Sequence, residues 1–268
     1  MTDTISWRLV TSPDINKQSL TIFYKDKVYT VNNSHIYFKD ILHKVEDNDP
    51  DFLYLLNLEE TLNNSFLKIT NNVTITDGKV SYKGQAIDNS LTREILTLVS
   101  ERSKSLRGMV NFMESLMCSA SDIARESLFD WVQTIREVDC SAIQINDDGS
   151  FMAYKVCNYN KDAGLIFSKN RGPGIINGVE VNGHLDNSIG NIIELPRFKV
   201  LEDRDQACGI GLHCGTYHYA HDTFGNPGNA IIKVKVYPQD VISVPKDHSA
   251  EKIRTCKYEV VEFIEEIW

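Results

Sequence analysis

The chain has 268 residues, a length that suits one large domain or two small ones. Its 42% hydrophobic and 24% charged residues are typical of a soluble globular protein. A net charge of −9 argues against broad binding to a phosphate backbone, which needs clustered Lys and Arg. No stretch approaches the roughly 18–20 apolar residues of a membrane span, and MTDTISWRLV at the N-terminus has no secretory-signal pattern.

Two β-hairpins are predicted in the first part of the chain. The segments 20–24 and 28–31 alternate aromatic and β-branched residues around a tight KDK turn, as half-buried strands do. A second hairpin is predicted from 73–75 and 79–84. The dipeptide Asp77-Gly78 between them is a strong turn signal.

Helical patterns follow each hairpin. Apolar residues recur at helical spacing after Asn33, and again after Asp49 and Pro50, which suit an N-cap and a first helical turn. From Ser90 to about Val138 the pattern predicts three helices, and the third carries a single apolar stripe. We expect this stripe to pack in a core. Its residues are Ala124, Leu128, Trp131, Val132, Ile135 and Val138.

The sequence becomes β-rich near Cys140, where we predict a boundary between a mixed hairpin and helical domain, 1–140, and a C-terminal domain, 141–268. The glycine-rich segment Asn170–Gly183 lacks the spacing of a phosphate-binding loop and is interpreted as a loop or loose hairpin. TYHYAHDTF is expected to form a short helix. The predicted fold class is α+β, with N-terminal β-hairpins and a helical bundle followed by a β-rich domain.

The segment Gly211–His221, GLHCGTYHYAH, holds three histidines and a cysteine. Such residues can bind zinc or activate a thiol. On a strand, however, the adjacent His213 and Cys214 point to opposite faces, and the spacing of the other ligands is irregular, so we predict no metal.

A nucleophilic Cys214 would need an orienting partner that the sequence does not reveal, and an acid/base pair such as Asp186 and Glu259 is equally open. Catalytic residues therefore stay unassigned.

The C-terminal half resembles the ADP-ribosyltransferase-like strand arrangement. FMAYKV, GIGLHC leading into GTYHYA, and TCKYEVV occur in the order of the strands that surround a nicotinamide pocket in that class. The resemblance implies a nucleotide pocket in which an imidazole and a late carboxylate share one cleft, although the family order of His and Tyr is reversed here. The ligand-binding residues predicted on this basis are Tyr154, Arg197, His213, Tyr217, Arg254 and Glu259.

A second resemblance covers nearly the whole chain. Several segments are similar, in order and spacing, to the rIIB family of lysis-inhibition proteins of T-even-type bacteriophages, also described as protectors from prophage-induced early lysis. They are DGKVSYKGQAI, LFDWVQTIREVDCSAIQINDDGSFMAYKV, LDNSIGNIIELPR, CGIGLHC, IIKVKVYPQDVISVP and KIRTCKYEVVE.

The rIIB resemblance implies a phage accessory protein that modulates lysis timing and protects against prophage exclusion or another host defence, by binding rather than by catalysis. It implies an rIIA-type partner or a host defence component, in the host cytoplasm or peripherally at the inner face of the host membrane. T-even members carry a further N-terminal helix-turn-helix-like segment that we do not find here, and with the negative net charge this predicts no strong nucleic-acid binding. No cofactor is expected. The alternative function is a module that recognises or modifies an NAD-derived or cyclic-nucleotide signal.

Overall fold

The computed structural model confirms the α+β class, with helices and strands in both halves of the chain. It divides into two compact units, Met1–Thr92 and Arg93–Trp268, each described here by itself. This division differs from the boundary expected near residue 140, because the last two helices group with the C-terminal strands. The structure describes residues 4–11, 18–33, 35, 37–76, 79–86, 106–119, 121–139 and 144–267.

Two three-stranded antiparallel sheets and three helices form the described part of the first unit. The strands are β1 (Ser6–Thr11), β2 (Gln18–Tyr24), β3 (Lys27–Asn32), β4 (Val73–Thr76), β5 (Lys79–Tyr82) and β6 (Gln85–Ala86), and the helices are α1 (Phe38–Glu46), α2 (Phe52–Leu56) and α3 (Leu58–Leu67). Both predicted hairpins are confirmed as β2–β3 and β4–β5. The Asp77-Gly78 turn itself lies outside the described residues.

The core of the first unit follows from the alternation along β2. Leu20, Ile22 and Tyr24 lie on one face of the sheet and are buried. The ring of Phe52 packs edge-on against Tyr24, with the ring centroids 5.7 Å apart, and against Tyr29 at 5.8 Å. The first turn of α2 is therefore fixed on the hairpin by aromatic contacts.

Nine strands, two α-helices and several shorter helical turns form the described part of the second unit. The helices are α4 (Leu106–Met117) and α5 (Asp122–Asp139), and the strands are β7 (Phe151–Asn160), β8 (Leu165–Ile176), β9 (Val179–Asp186), β10 (Ile192–Glu194), β11 (Leu212–Gly215), β12 (Asn229–Val236), β13 (Val241–Ser243), β14 (Lys252–Thr255) and β15 (Lys257–Glu266). Their order in the sheet is β13-β14-β11-β7-β12-β15-β10-β8-β9. An extra pairing between β7 and β8 joins β7, β12, β15, β10 and β8 into a closed ring.

Alternation along β7 and β12 gives this sheet two different faces. Phe151, Ala153 and the partner of Ala153, Val234, are buried and define the core face. Tyr154 and its partner Lys233 lie on the other side, the polar face. The helices cover the core face, since Phe112 of α4 and Trp131 of α5 both pack on the ring of Phe151.

Helix α5 is tied to the sheet by a hydrogen bond as well as by packing. The predicted stripe is confirmed for Ala124, Leu128, Trp131 and Val132, which are all buried, while the side chains of Ile135 and Val138 lie outside the description. The indole Nε1 of Trp131 donates to the carbonyl oxygen of Glu251 over 3.1 Å. A residue 120 positions away along the chain thus anchors the helix.

The glycine-rich segment is a regular hairpin rather than a loose one. Strands β8 and β9 pair antiparallel up to Ile176 and Val179. The two residues between them, Asn177 and Gly178, both have positive φ, as a type I′ turn requires. No helix in the described part of the chain combines the length and apolar character of a membrane span.

The Trp131 contact predicts a stability cost. We expect Trp131→Phe to lower the free energy of unfolding by about 1–3 kcal/mol, because the hydrogen bond to Glu251 is lost and the smaller ring leaves a gap. Urea unfolding followed by circular dichroism measures this change. Phe198→Leu, at a side chain that is 85% exposed, serves as the control and should change stability by no more than about 0.5 kcal/mol. Equal effects of the two substitutions would contradict the prediction.

Candidate functional site

The structure does not bring the imidazole of His213 and the carboxylate of Glu259 into one cleft. His213 lies on β11 and Glu259 on β15, and β7 and β12 separate these strands. With about 4.8 Å between neighbouring strands, the two positions are roughly 14 Å apart across the sheet. The nicotinamide-type pocket expected from the order of the strands along the chain is therefore not formed by this pair.

The contacts of Arg197 and the strand partner of Glu259 involve residues outside the predicted ligand set. Arg197 begins a short 3₁₀ helix, and its guanidinium donates to the main-chain oxygens of Gln239 and Val241 at 2.5 and 3.5 Å. Glu259 lies opposite Lys235 of β12 in the register. A role for either residue in binding a ligand stays a prediction.

His213 and Arg254 are brought together, as partners in the register of β11 and β14. Arg254 is fully buried, and its guanidinium donates to the carbonyl oxygens of Asp203, at 2.7 Å, and Gln206. Lys252 adds a bond of 2.7 Å to the carbonyl oxygen of Ala207. Two buried cations thus hold an irregular loop across the strands, which makes their role structural in the observed state.

His213 is a partly buried, uncharged imidazole. Burial is the main reason that its pKa falls to about 3, and three neighbouring cations act in the same direction. The cations are Lys155, Lys252 and Arg254. Its Nε2 is buried and has no hydrogen-bond partner among the described residues. With so low a pKa, His213 cannot donate a proton near neutral pH.

The prediction that His213 and Cys214 point to opposite faces is confirmed. Cys214 lies on the core face, only 1% exposed, and burial raises the pKa of its thiol to about 12. A thiol with this pKa supplies almost no thiolate, so the nucleophilic cysteine hypothesis has no support here. Within the described ranges, no three His, Cys, Asp or Glu side chains form a group that could hold a metal ion.

Tyr154 and Tyr217 do meet, on the polar face. Their ring centroids are 5.5 Å apart and the rings are nearly perpendicular. The hydroxyl of Tyr217 donates to Glu265 of β15. This hydrogen bond is the main reason that the pKa of Tyr217 rises to about 12, so the phenol stays protonated.

A hydrogen-bonded group that the sequence did not reveal lies at the end of β11. Glu251 is buried, with an exposed fraction of 6%. Its carboxylate accepts a hydrogen bond from the hydroxyl of Thr216 over 2.7 Å. The same oxygen lies 2.8 Å from Nδ1 of His218. Because a carboxylate can only accept, Nδ1 of His218 carries the hydrogen in this contact.

The group extends outward through Asp222. One oxygen of Asp222 lies 3.6 Å from Nε2 of His218, and the other lies 2.6 Å from Nδ1 of His221. Thr216, Glu251, His218, Asp222 and His221 form what we call the histidine–carboxylate chain. It runs from a buried carboxylate to half-exposed imidazoles, an arrangement that orients histidines and fixes their tautomers.

The local sequence explains how Thr216, His218 and Asp222 are placed, but not how Glu251 reaches them. The expected short helix is observed, with a π-helical segment at Tyr219–Thr223, and the hydroxyl of Thr216 accepts the N–H of Tyr219 at 3.0 Å. The spacing of His218 and Asp222, four residues apart, could have indicated a shared helix face. Nothing near Glu251 in the sequence indicates that it contacts His218, 33 residues earlier.

Comparison with known proteins decides the family. The family model described as Bacteriophage T4 protein rIIB matches residues 10–266, which is almost the whole chain. This chain belongs to the rIIB family. Protein rIIB of Enterobacteria phage T4 is 30% identical over 236 residues, which cover 87% of this chain and 67% of that protein. No solved structure matches.

Membership of the rIIB family assigns no chemistry to the histidine–carboxylate chain. It does confirm the resemblance that the segments from DGKVSYKGQAI to KIRTCKYEVVE predicted. The matched range includes the whole C-terminal sheet and both of its helices. The features of the C-terminal sheet described above therefore lie within the range matched by the rIIB family.

The burial of the cysteines predicts their reactivity. In a Cys140→Ser background, which removes the thiol outside the described residues, we expect two thiols to react rapidly with Ellman's reagent in the native protein. These are the exposed Cys118 and Cys208. Three more, Cys157, Cys214 and Cys256, should react only after unfolding. Rapid native reaction of a third thiol would contradict the burial of one of these three cysteines.

The low pKa of His213 predicts a loss of stability in mild acid. The folded pKa of about 3 lies below the unfolded value near 6.5, so between them the unfolded state binds the extra proton. Stability should be fully present above pH 6.5 and fall on acidification by up to about 1.4 kcal/mol per pH unit. Urea unfolding at pH 7.5 and at pH 5 measures how much the free energy of unfolding falls between the two. This fall should be smaller in His213→Leu than in the wild type by about 2 kcal/mol.

Comparing the wild type with His213→Leu removes the contributions that other titrating groups make to the pH dependence of stability. Burial raises the pKa of Asp240 to about 6, which favours the folded state as the pH falls, but this contribution is common to wild type and variant. Identical losses of stability in both proteins would show that His213 is not held neutral in the folded state.

Proposed function

We propose that this rIIB family member acts in the infected host cell to modulate the timing of lysis and to protect the phage against prophage exclusion or another host defence. The observation that carries the proposal is the family match over residues 10–266. The proposal follows the role for which the family is described. It needs no cofactor.

We infer that the protein works by binding rather than by catalysis. The chemically reactive groups predicted from the sequence are poorly suited to reaction, since Cys214 is a buried thiol and His213 a partly buried, neutral imidazole. The hydroxyl of Thr216 is engaged by Glu251. The separation of His213 from Glu259 in the sheet likewise weakens the alternative role in recognising an NAD-derived or cyclic-nucleotide signal.

The proposed partner is an rIIA-type protein of the same phage or a component of a host defence. We place the complex in the host cytoplasm, with peripheral association at the inner face of the host membrane as the alternative. A net charge of −9 is compatible with a protein partner and disfavours a nucleic acid.

A deletion phage tests the proposed function. Phage lacking the gene should lyse a prophage-free host earlier than wild type and should plate poorly on a host that carries an excluding prophage. The wild-type gene on a plasmid should restore both properties, whereas a frameshifted copy should not. Unchanged lysis time and unchanged plating of the deletion phage would refute the proposal.

A further inference from the structure

Three rings are held side by side at the edge of the polar face. Tyr217 meets the ring of Tyr154 edge-on at 5.5 Å and stacks on His221 at 5.3 Å with 15° between the ring planes. All three side chains are partly exposed to solvent. Aromatic faces that are fixed by their neighbours lose little conformational entropy when a ligand stacks on them.

Three carboxylates border these rings. Glu265 accepts the hydroxyl of Tyr217, Asp222 contacts His221 at 2.6 Å, and Glu262 contacts Lys233 at 2.8 Å. These three carboxylates exceed the single positive charge of Lys233 by two negative charges. A carboxylate has room for about four hydrogen bonds, so these contacts do not exhaust the acceptors. We call this surface the aromatic–acidic patch; its residues are Tyr154, Tyr217, His221, Asp222, Glu262 and Glu265.

Lys233 shows which chemistry suits the patch. Its ammonium lies 5.9 Å from the centroid of the Tyr154 ring and 2.8 Å from a carboxylate oxygen of Glu262. A cation is thus attracted by a ring face and paired with a carboxylate at the same time. A phosphate or another anion would instead face the surplus negative charge.

We propose that the aromatic–acidic patch binds an arginine side chain in a basic segment of a partner protein. A guanidinium stacks on an aromatic face and forms paired hydrogen bonds to a carboxylate, which the rings of Tyr217 and His221 and the carboxylates of Asp222 and Glu265 supply in one place. This inference rests on the proposed binding function and gives the chemistry of its partner. Lys233 competes with the incoming guanidinium for Tyr154 and Glu262.

The test uses the purified full-length chain and a fluorescent peptide of alternating arginine and glycine. Fluorescence anisotropy at low ionic strength compares it with the same peptide carrying citrulline, the uncharged analogue of arginine. We expect the arginine peptide to bind at least about fivefold more tightly than the citrulline peptide. Equal affinities for the two peptides would overturn the inference.

Variants connect the binding to the patch. Glu265→Gln, which keeps an acceptor for Tyr217 but removes the charge, should weaken binding of the arginine peptide about fivefold, as should Tyr217→Leu. The matched control Glu180→Gln, at an exposed carboxylate on β9, should leave it unchanged. Lys233→Met should strengthen binding, because the competing ammonium is gone. The patch would be refuted as the binding site by either of two results. One is an equal loss of affinity for the arginine peptide in Glu265→Gln and Glu180→Gln, and the other is no gain of affinity in Lys233→Met.

Failure of the inference and failure of the proposed function are distinguishable. A chain that restores lysis timing to the deletion phage but does not bind the arginine peptide overturns the inference alone. A chain that binds the peptide through the patch but does not complement the phage overturns the proposed function alone. Circular dichroism establishes that each variant is folded, and Glu265→Gln carries the test if Tyr217→Leu does not fold.

Discussion

The C-terminal unit depends on the hydrogen bonds that converge on Glu251. Its carbonyl oxygen accepts the indole N–H of Trp131 at 3.1 Å and the main-chain N–H of Thr216 at 3.0 Å, while its carboxylate accepts the Thr216 hydroxyl and contacts His218. One residue thereby joins helix α5, the end of β11 and the helical turn that follows. Because Trp131, Thr216 and Glu251 are buried, leaving any of their polar groups unpaired is costly.

Close approach of the backbone makes this arrangement possible. A Cβ on Gly215 would collide with the carbonyl oxygen of Glu251, so β11 can reach its partner only with glycine at this position. The chain then turns at Thr216 into the helical segment that carries His218. Packing of the core and the placement of polar groups at the surface are therefore parts of one arrangement.

The two faces of the sheet have different roles. On the core face, thiols such as Cys157 and Cys214 behave as small apolar side chains, and burial raises the pKa of both. On the polar face, buried Arg254 holds a covering loop, while the rings and carboxylates around Tyr217 are presented to solvent. This division is the structural basis for proposing recognition by a surface rather than chemistry in a cavity for this member of the rIIB family.

The sequence determined what depends on neighbours along the chain. Period-two alternation predicted the β2–β3 hairpin and the opposite orientation of His213 and Cys214, helical spacing predicted the buried face of α5 with Leu128 and Trp131, and the order of several segments indicated the family. These properties follow from backbone geometry over a few residues. Only the tertiary structure decided that β7 and β12 separate His213 from Glu259, and that Glu251 contacts His218 and Trp131. Which strands become neighbours depends on packing between residues far apart in the chain, and local periodicity carries no information about that choice.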